Sequence, residues 1–166
     1  MPESFILVNT SPLLYLHQIG YLEILKNLYK IITVPEAVVE ELEVGARQGI
    51  NVPNIKTLGW ISLKSVQSVS LIPTFIDLDK GEAEVIALGL ENPASLLILD
   101  DQLGRRIANL YQLKYTGTLG VLVKAKQLGY LSSIKPIIQM LRHQGMWLTD
   151  QIVNDILQLA GESESI

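Results

Sequence analysis

The chain of 166 residues contains no cysteine, which excludes a disulfide framework, a thiolate metal site and a cysteine nucleophile. Its two histidines, His17 and His143, lack metal-ligand spacing. Its two tryptophans, Trp60 and Trp147, stand isolated and read as core or interface anchors rather than a base-stacking series. Lysine and arginine total 13 against 17 acids, a net charge of −4, which argues against an extended basic surface that holds nucleic acid by phosphate neutralisation alone. A small site in which a metal ion supplies the positive charge is not excluded. No lysine or arginine precedes Lys26; without the positive start of a secretory signal, a cytoplasmic location is expected. The mean hydropathy is high, +0.30, yet no apolar run approaches the roughly 18 residues of a membrane span, and no membrane association is expected. Also missing are the glycine fingerprint of dinucleotide sites, a phosphate-binding Gly-Lys-Ser/Thr loop and a Gly-x-Ser-x-Gly elbow.

What is present is an alternation of short β-branched runs with helical patterns. Phe5 to Asn9, Ile31 to Val34, Trp60 to Leu63, Leu96 to Leu99 and Lys114 to Thr116 read as strands. Helices are expected from Thr10 to Gly20, Tyr21 to Leu28, Pro35 to Ala46, Lys80 to Leu90, Leu103 to Tyr111, Gly117 to Gly129, Pro136 to Gln144 and Thr149 to Leu159. Such an order predicts an α/β fold, a three-layer sandwich with a central, mostly parallel sheet flanked by helices. With 48% hydrophobic residues the length suits one core, and we expect a single domain over 1–160 with a frayed tail at 161–166. The apolar surplus is assigned to a two-sided core and to a partner interface.

The acids identify the candidate site. Leu96-Leu97-Ile98-Leu99-Asp100-Asp101 is a buried strand ending in two carboxylates, and ligands of parallel sheets bind outside the carboxyl ends of strands. On the helix after Pro35, Glu36, Glu40 and Glu43 share a solvated face, while Glu41 keeps company with Ala37, Val38, Val44 and Gly45 at helical spacing. On the helix from Lys80, Glu84 and Glu91 share the wet side with Lys80, and Lys80 and Glu84 form an i,i+4 pair. Glu82 instead stands with Val85, Ile86 and Gly89. A carboxylate turned toward a core needs a partner, a hydrogen bond or a metal. Taken singly, each of these acids has a local explanation: Glu41 bonded to a basic residue, Glu82 at a helix start, Asp101 paired with Arg105. Taken together, with Asn9 at the matching end of the first strand, they offer oxygen ligands suited to Mg2+ or Mn2+.

At these residues the chain resembles the PIN-domain family, and more closely its bacterial PIN-like branch of predicted nucleic-acid-binding proteins. The likeness runs from Ile6 to Trp147 and rests on Val8-Asn9-Thr10-Ser11-Pro12-Leu13, on Val34-Pro35-Glu36-Ala37-Val38 through Glu41, on Leu78-Asp79-Lys80-Gly81-Glu82-Ala83-Glu84, on Leu97-Ile98-Leu99-Asp100-Asp101 and on Thr116-Gly117-Thr118-Leu119-Gly120. The resemblance implies clustered acids that hold Mg2+ or Mn2+ and hydrolyse single-stranded RNA, in many members as the toxin of a toxin–antitoxin pair. It places the catalytic positions at Asn9, Glu41, Glu82 and Asp101, with Asp100 as a further metal ligand. Thr10 or Ser11 matches the hydroxyl that follows the first acid. The chain departs from the wider family at Asn9, which stands where a metal-coordinating aspartate is common and removes one negative charge.

Two functional expectations follow. One is a metal-dependent endoribonuclease, with Thr10, Ser11 and Thr118 bonding phosphate or a ligand water and Arg105 and Arg106, with Lys114 or Lys124, guiding the strand. The other is a catalytically weakened module that binds nucleic acid or protein, the apolar surplus serving a homodimer, a higher homo-oligomer or a small antitoxin-like partner. A phosphoryl-transfer receiver ranks last, because it leaves the acids on two helices unexplained.

Overall fold

The computed structural model describes residues 3–72 and 77–162. Five strands of three residues each, β1 (Ile6–Val8), β2 (Ile32–Val34), β3 (Ile61–Leu63), β4 (Leu96–Ile98) and β5 (Lys114–Thr116), form one sheet in the order β3-β2-β1-β4-β5. Every pairing is parallel. Leu7 of β1 lies beside Thr33 on one side and Leu97 on the other. β2 is buried along its whole length and β1 and β4 nearly so, whereas the edge strands β3 and β5 are mostly exposed. Burial on both faces is why the inner strands read as unbroken apolar runs without polar alternation.

Eight α-helices are present among the described residues: α1 (Thr10–Gln18), α2 (Glu23–Tyr29), α3 (Glu36–Arg47), α4 (Lys80–Glu91), α5 (Gln102–Leu110), α6 (Thr118–Gln127), α7 (Lys135–His143) and α8 (Asp150–Leu159). α4 packs on β1 and β4 and against α3 and α5; α6 packs against α1, α2 and α8. Its eight buried residues fit α4 for that position against the sheet. Two 3-10 turns, Ile55–Thr57 and Val69–Leu71, occupy stretches where the sequence pattern weakens. Helix ends follow local chemistry: α1 stops before Gly20, whose φ of +82° suits a residue without Cβ, and Thr149 caps α8 by accepting the Ile152 amide at 3.1 Å.

The strand order changes direction between β1 and β4. Chain leaving β1 crosses to β2 on one side, while β4 and β5 lie on the other, so the carboxyl ends of β1 and β4 open a crevice at the topological switch point. The joins there are short: a single residue separates β1 from α1, β2 from α3, and β5 from α6.

Three local expectations change. Lys80 reaches Glu40 on α3 at 3.3 Å rather than pairing with Glu84, and Glu84 is drawn from the wet side to accept the Ala37 amide at 3.0 Å. Glu162, within the stretch expected to fray, is tied down by Ser133, by the amides of Ile134 and Lys135 and by Lys126; 163–166 lie outside the described residues. Val44 is 43% exposed, so only Ala37, Val38 and Gly45 form the apolar company of Glu41.

Candidate active site

Asn9, Glu41, Glu82 and Asp101 meet at the crevice. Asn9 is the lone residue between β1 and α1; its amide N–H donates to the Ile98 carbonyl at 3.0 Å, which fixes it beside the end of β4. The side chain is buried, and its Nδ2 donates to Glu82 Oε1 at 3.3 Å. Asn9 Oδ1 is buried without a partner. Glu82, 4% exposed, is the third residue of α4. Glu41 comes across from α3 and accepts the Thr10 hydroxyl at 2.6 Å. Asp101 is the N-cap of α5 and accepts the Gly104 amide at 3.0 Å.

Two glycines make the room. A Cβ on Gly81 would overlap Glu41 Oε1 and stand 3.0 Å from Asn9 Oδ1. A Cβ on Gly104 would press on Leu99 Cδ1 at 2.9 Å, and it would lie in ordinary contact, 3.9 Å, with both Asp101 Oδ2 and Glu82 Oε2. The N-termini of α1, α4 and α5 all open here, and their partial positive charge is what makes a concentration of acids tolerable.

Tolerance is incomplete. Burial pushes the Glu82 carboxyl up to about 7, helped by the charges of Asp101, Asp79 and Glu41. Burial also raises Glu41, against which the Thr10 hydroxyl and the Gly81 amide act, while Asp79 and Glu84 add to the rise. Asp79, the residue that precedes α4, is thus a member of the charge cluster; its side chain makes no cap bond. Spacing offered no signal for it, since a helix N-cap acid is ordinary.

Other expected site residues lie differently. Asp100 spends both oxygens on Thr118, accepting its amide at 2.7 Å and its hydroxyl at 2.6 Å. It is a brace between β4 and α6. Thr118, fully buried, is the other half of that brace. Arg105 donates Nε to the Leu99 carbonyl at 3.1 Å, sits over the Tyr115 ring and enters the space left by Gly117. Its guanidinium is therefore held at the crevice rim. Ser11 is half-buried and Arg106 exposed. Tyr15 stands near Asp100: burial raises its phenol, and the Asp100 charge adds to the rise. His17 bonds Asn51 at 3.0 Å, and Trp147 is 82% exposed.

Whether these residues suit a divalent cation turns on chemistry and spacing. The donors are all oxygen, one is an orphaned buried amide oxygen, and one carboxyl is raised by burial and then by its acidic neighbours. Among the described residues no three His, Asp or Glu side chains form a group that could hold a metal ion. The fit is therefore to a hard cation held by one or two carboxylates and the amide, with water completing its shell, as Mg2+ accepts. A surface groove of about 480 Å3 lies elsewhere, between α7 and α8.

Sheet and crevice together define a parallel α/β protein with an acid-lined pocket at its switch point. A family model described as a PIN domain matches residues 5–162, and the chain belongs to the PIN-domain family. PIN domains are in general dependent on divalent metal ions. No curated protein and no solved structure matches the chain. No helix among the described residues is long and apolar enough to cross a membrane.

Proposed function

We propose that the crevice is the active site of a divalent-cation-dependent endoribonuclease acting on single-stranded RNA. The observation that carries the reading is Asn9 Oδ1, an acceptor buried without a donor at the space left by Gly81, which Glu41 Oε1 also borders. Buried acceptors are satisfied in nearly all folded proteins, so an orphan marks a place for water or an ion. Asn9, Glu41, Glu82 and Asp101 present oxygens to the cation directly or through water. Thr10 fixes the Glu41 carboxylate, and the Thr10 and Ser11 positions lie on the first turn of α1, where backbone amides favour phosphate. Arg105, pinned by Leu99 and Tyr115, and the exposed Arg106 meet the RNA backbone. A bound cation supplies neutralisation of the phosphate and activation of a water. With a cation held by Asn9, Glu41, Glu82 and Asp101, water would bond to phosphorus as the in-line P–O bond breaks, and the leaving ribose oxygen would take up the proton that the water gives up. The same reading includes a toxin role, with a small antitoxin-like protein or a second copy of the chain covering exposed apolar residues such as Leu110 and Tyr111.

A second reading has its own support. Thr10 satisfies Glu41 in part, Gly104 satisfies Asp101, and among the described residues no three-acid group closes on a metal; a module that binds without cleaving shows those features too. Cleavage of single-stranded RNA with added Mn2+, wild type against Asp101→Asn, separates the two. Loss of cleavage in the variant is expected; equal residual cleavage removes the nuclease.

A further inference from the structure

Asn9 does two things that an aspartate in its place could not do together. Its Nδ2 donates to Glu82 Oε1 at 3.3 Å, and its Oδ1 remains a buried, unpartnered acceptor. We propose that Asn9 is a positioning residue that relieves charge in the empty crevice, keeping it folded without a cation and making the hold on a divalent cation weak and exchangeable. The inference rests on the crevice being a cation site, and not on its cleaving RNA.

An aspartate at position 9 replaces a donor with a like charge at hydrogen-bonding distance from Glu82. The other groups facing that pair are acidic as well: Glu41 from α3, Asp79 at the start of α4 and Asp101 at the start of α5. The donors within the cluster are the Thr10 hydroxyl and the Gly81 amide on Glu41, the Gly104 amide on Asp101 and the Asp79 amide on Glu82, so Asn9 Nδ2 is the side-chain donor that Glu82 has. Without Nδ2, Glu82 loses a side-chain donor and gains a neighbour that repels it. With a divalent cation in place the balance reverses, because ligand charge strengthens the hold on a hard cation. One substitution therefore acts with opposite sign on the empty and the loaded protein.

The test is thermal unfolding of the full chain in EDTA and in saturating Mn2+, together with a Mn2+ titration. Asn9→Asp is expected to melt several degrees below wild type in EDTA, to show a larger rise on Mn2+ addition and to bind Mn2+ about tenfold more tightly. The exchange variant Asn9→Asp/Glu82→Gln puts the amide on the other side of the pair and is expected to regain the wild-type melting temperature in EDTA. If Asn9→Asp alone does not fold while the exchange variant does, the coupling stands; if neither folds, the proposal is overturned. Equal melting of Asn9→Asp and wild type in EDTA overturns it, as does an equal response to Mn2+ or none in either protein. RNA cleavage measured alongside keeps the two readings apart. A differential Mn2+ response without cleavage removes only the nuclease, and cleavage with identical EDTA melting removes only the role given to Asn9.

Discussion

Two glutamates, each held by bonds to another part of the chain, lie at opposite extremes. Glu82 has one side-chain donor, the Asn9 amide, and is pushed up to about 7 by burial and by three acids. Glu162 is also largely out of water, and burial opposes its charge. There the bonds outweigh burial: Ser133 at 2.6 Å, the Ile134 amide at 2.8 Å, Lys126 at 3.0 Å and the Lys135 amide at 3.3 Å bring it down to about 2. Donors and a cation, more than depth, decide which carboxylate stays charged. Glu162 has been supplied from within the chain and serves as a fastening. Glu82 has been left short, and what it lacks is a positive charge.

The largest test of that contrast is removal of the Glu82 charge. Glu82→Gln is expected to lower Mn2+-dependent RNA cleavage about a thousandfold, near 4 kcal/mol in the barrier, while stabilising the cation-free protein. Steady-state cleavage and melting in EDTA read the two effects, and unchanged cleavage would break the comparison.

Next in size is the pH response. Glu82 is raised in the folded state, so the native protein holds its proton after the unfolded chain has lost it. Its contribution is fully present below about 4.5 and is lost as pH rises through about 7, by about 3 kcal/mol at most. Glu162 has the opposite sign: its contribution is present above about 4.5 and is lost as pH falls toward about 2. Urea unfolding of wild type between pH 4.5 and 8 should show a decline that Glu82→Gln lacks. Matching profiles would mean that Glu82 is not the group short of charge.

The smallest effect concerns the fastening. Glu162→Ala strands the Ile134 and Lys135 amides and frees Lys126, at a cost of about 2 kcal/mol, or roughly 4–8 °C in melting temperature for a chain of this size. Cleavage should be untouched when measured well below that temperature. A parallel loss of Mn2+ response would show that the two regions are not independent.

Much of the architecture was legible because it rests on local signals. The five expected strand runs became the five strands, and each expected helix is present with ends displaced by two residues at most. Helical spacing picked out Glu82 as a carboxylate on the wrong face, and it is buried. What stayed hidden depends on bonds between residues distant in sequence. Asp100 looked like an equal partner of Asp101, yet 18 residues later Thr118 takes both its oxygens. Glu84 looked solvated, and its partner is the start of another helix. Glu162 looked like tail because nothing beside it in sequence announces Ser133 or Lys126. Periodicity tells which way a side chain faces along its own helix; it is silent on what waits there.

The single-residue joins at the crevice rim make the two ends of the sheet unequal in their tolerance of insertions. Adding a residue beside Asn9 or Gly117 would rotate α1 or α6 by about 100° about its axis and turn Thr10 away from Glu41, or Thr118 away from Asp100. At the far end, four residues separate α4 from β4 and three separate α5 from β5, slack enough to take up an extra residue without moving either element. Length variants of this domain should therefore collect on the side away from the acids.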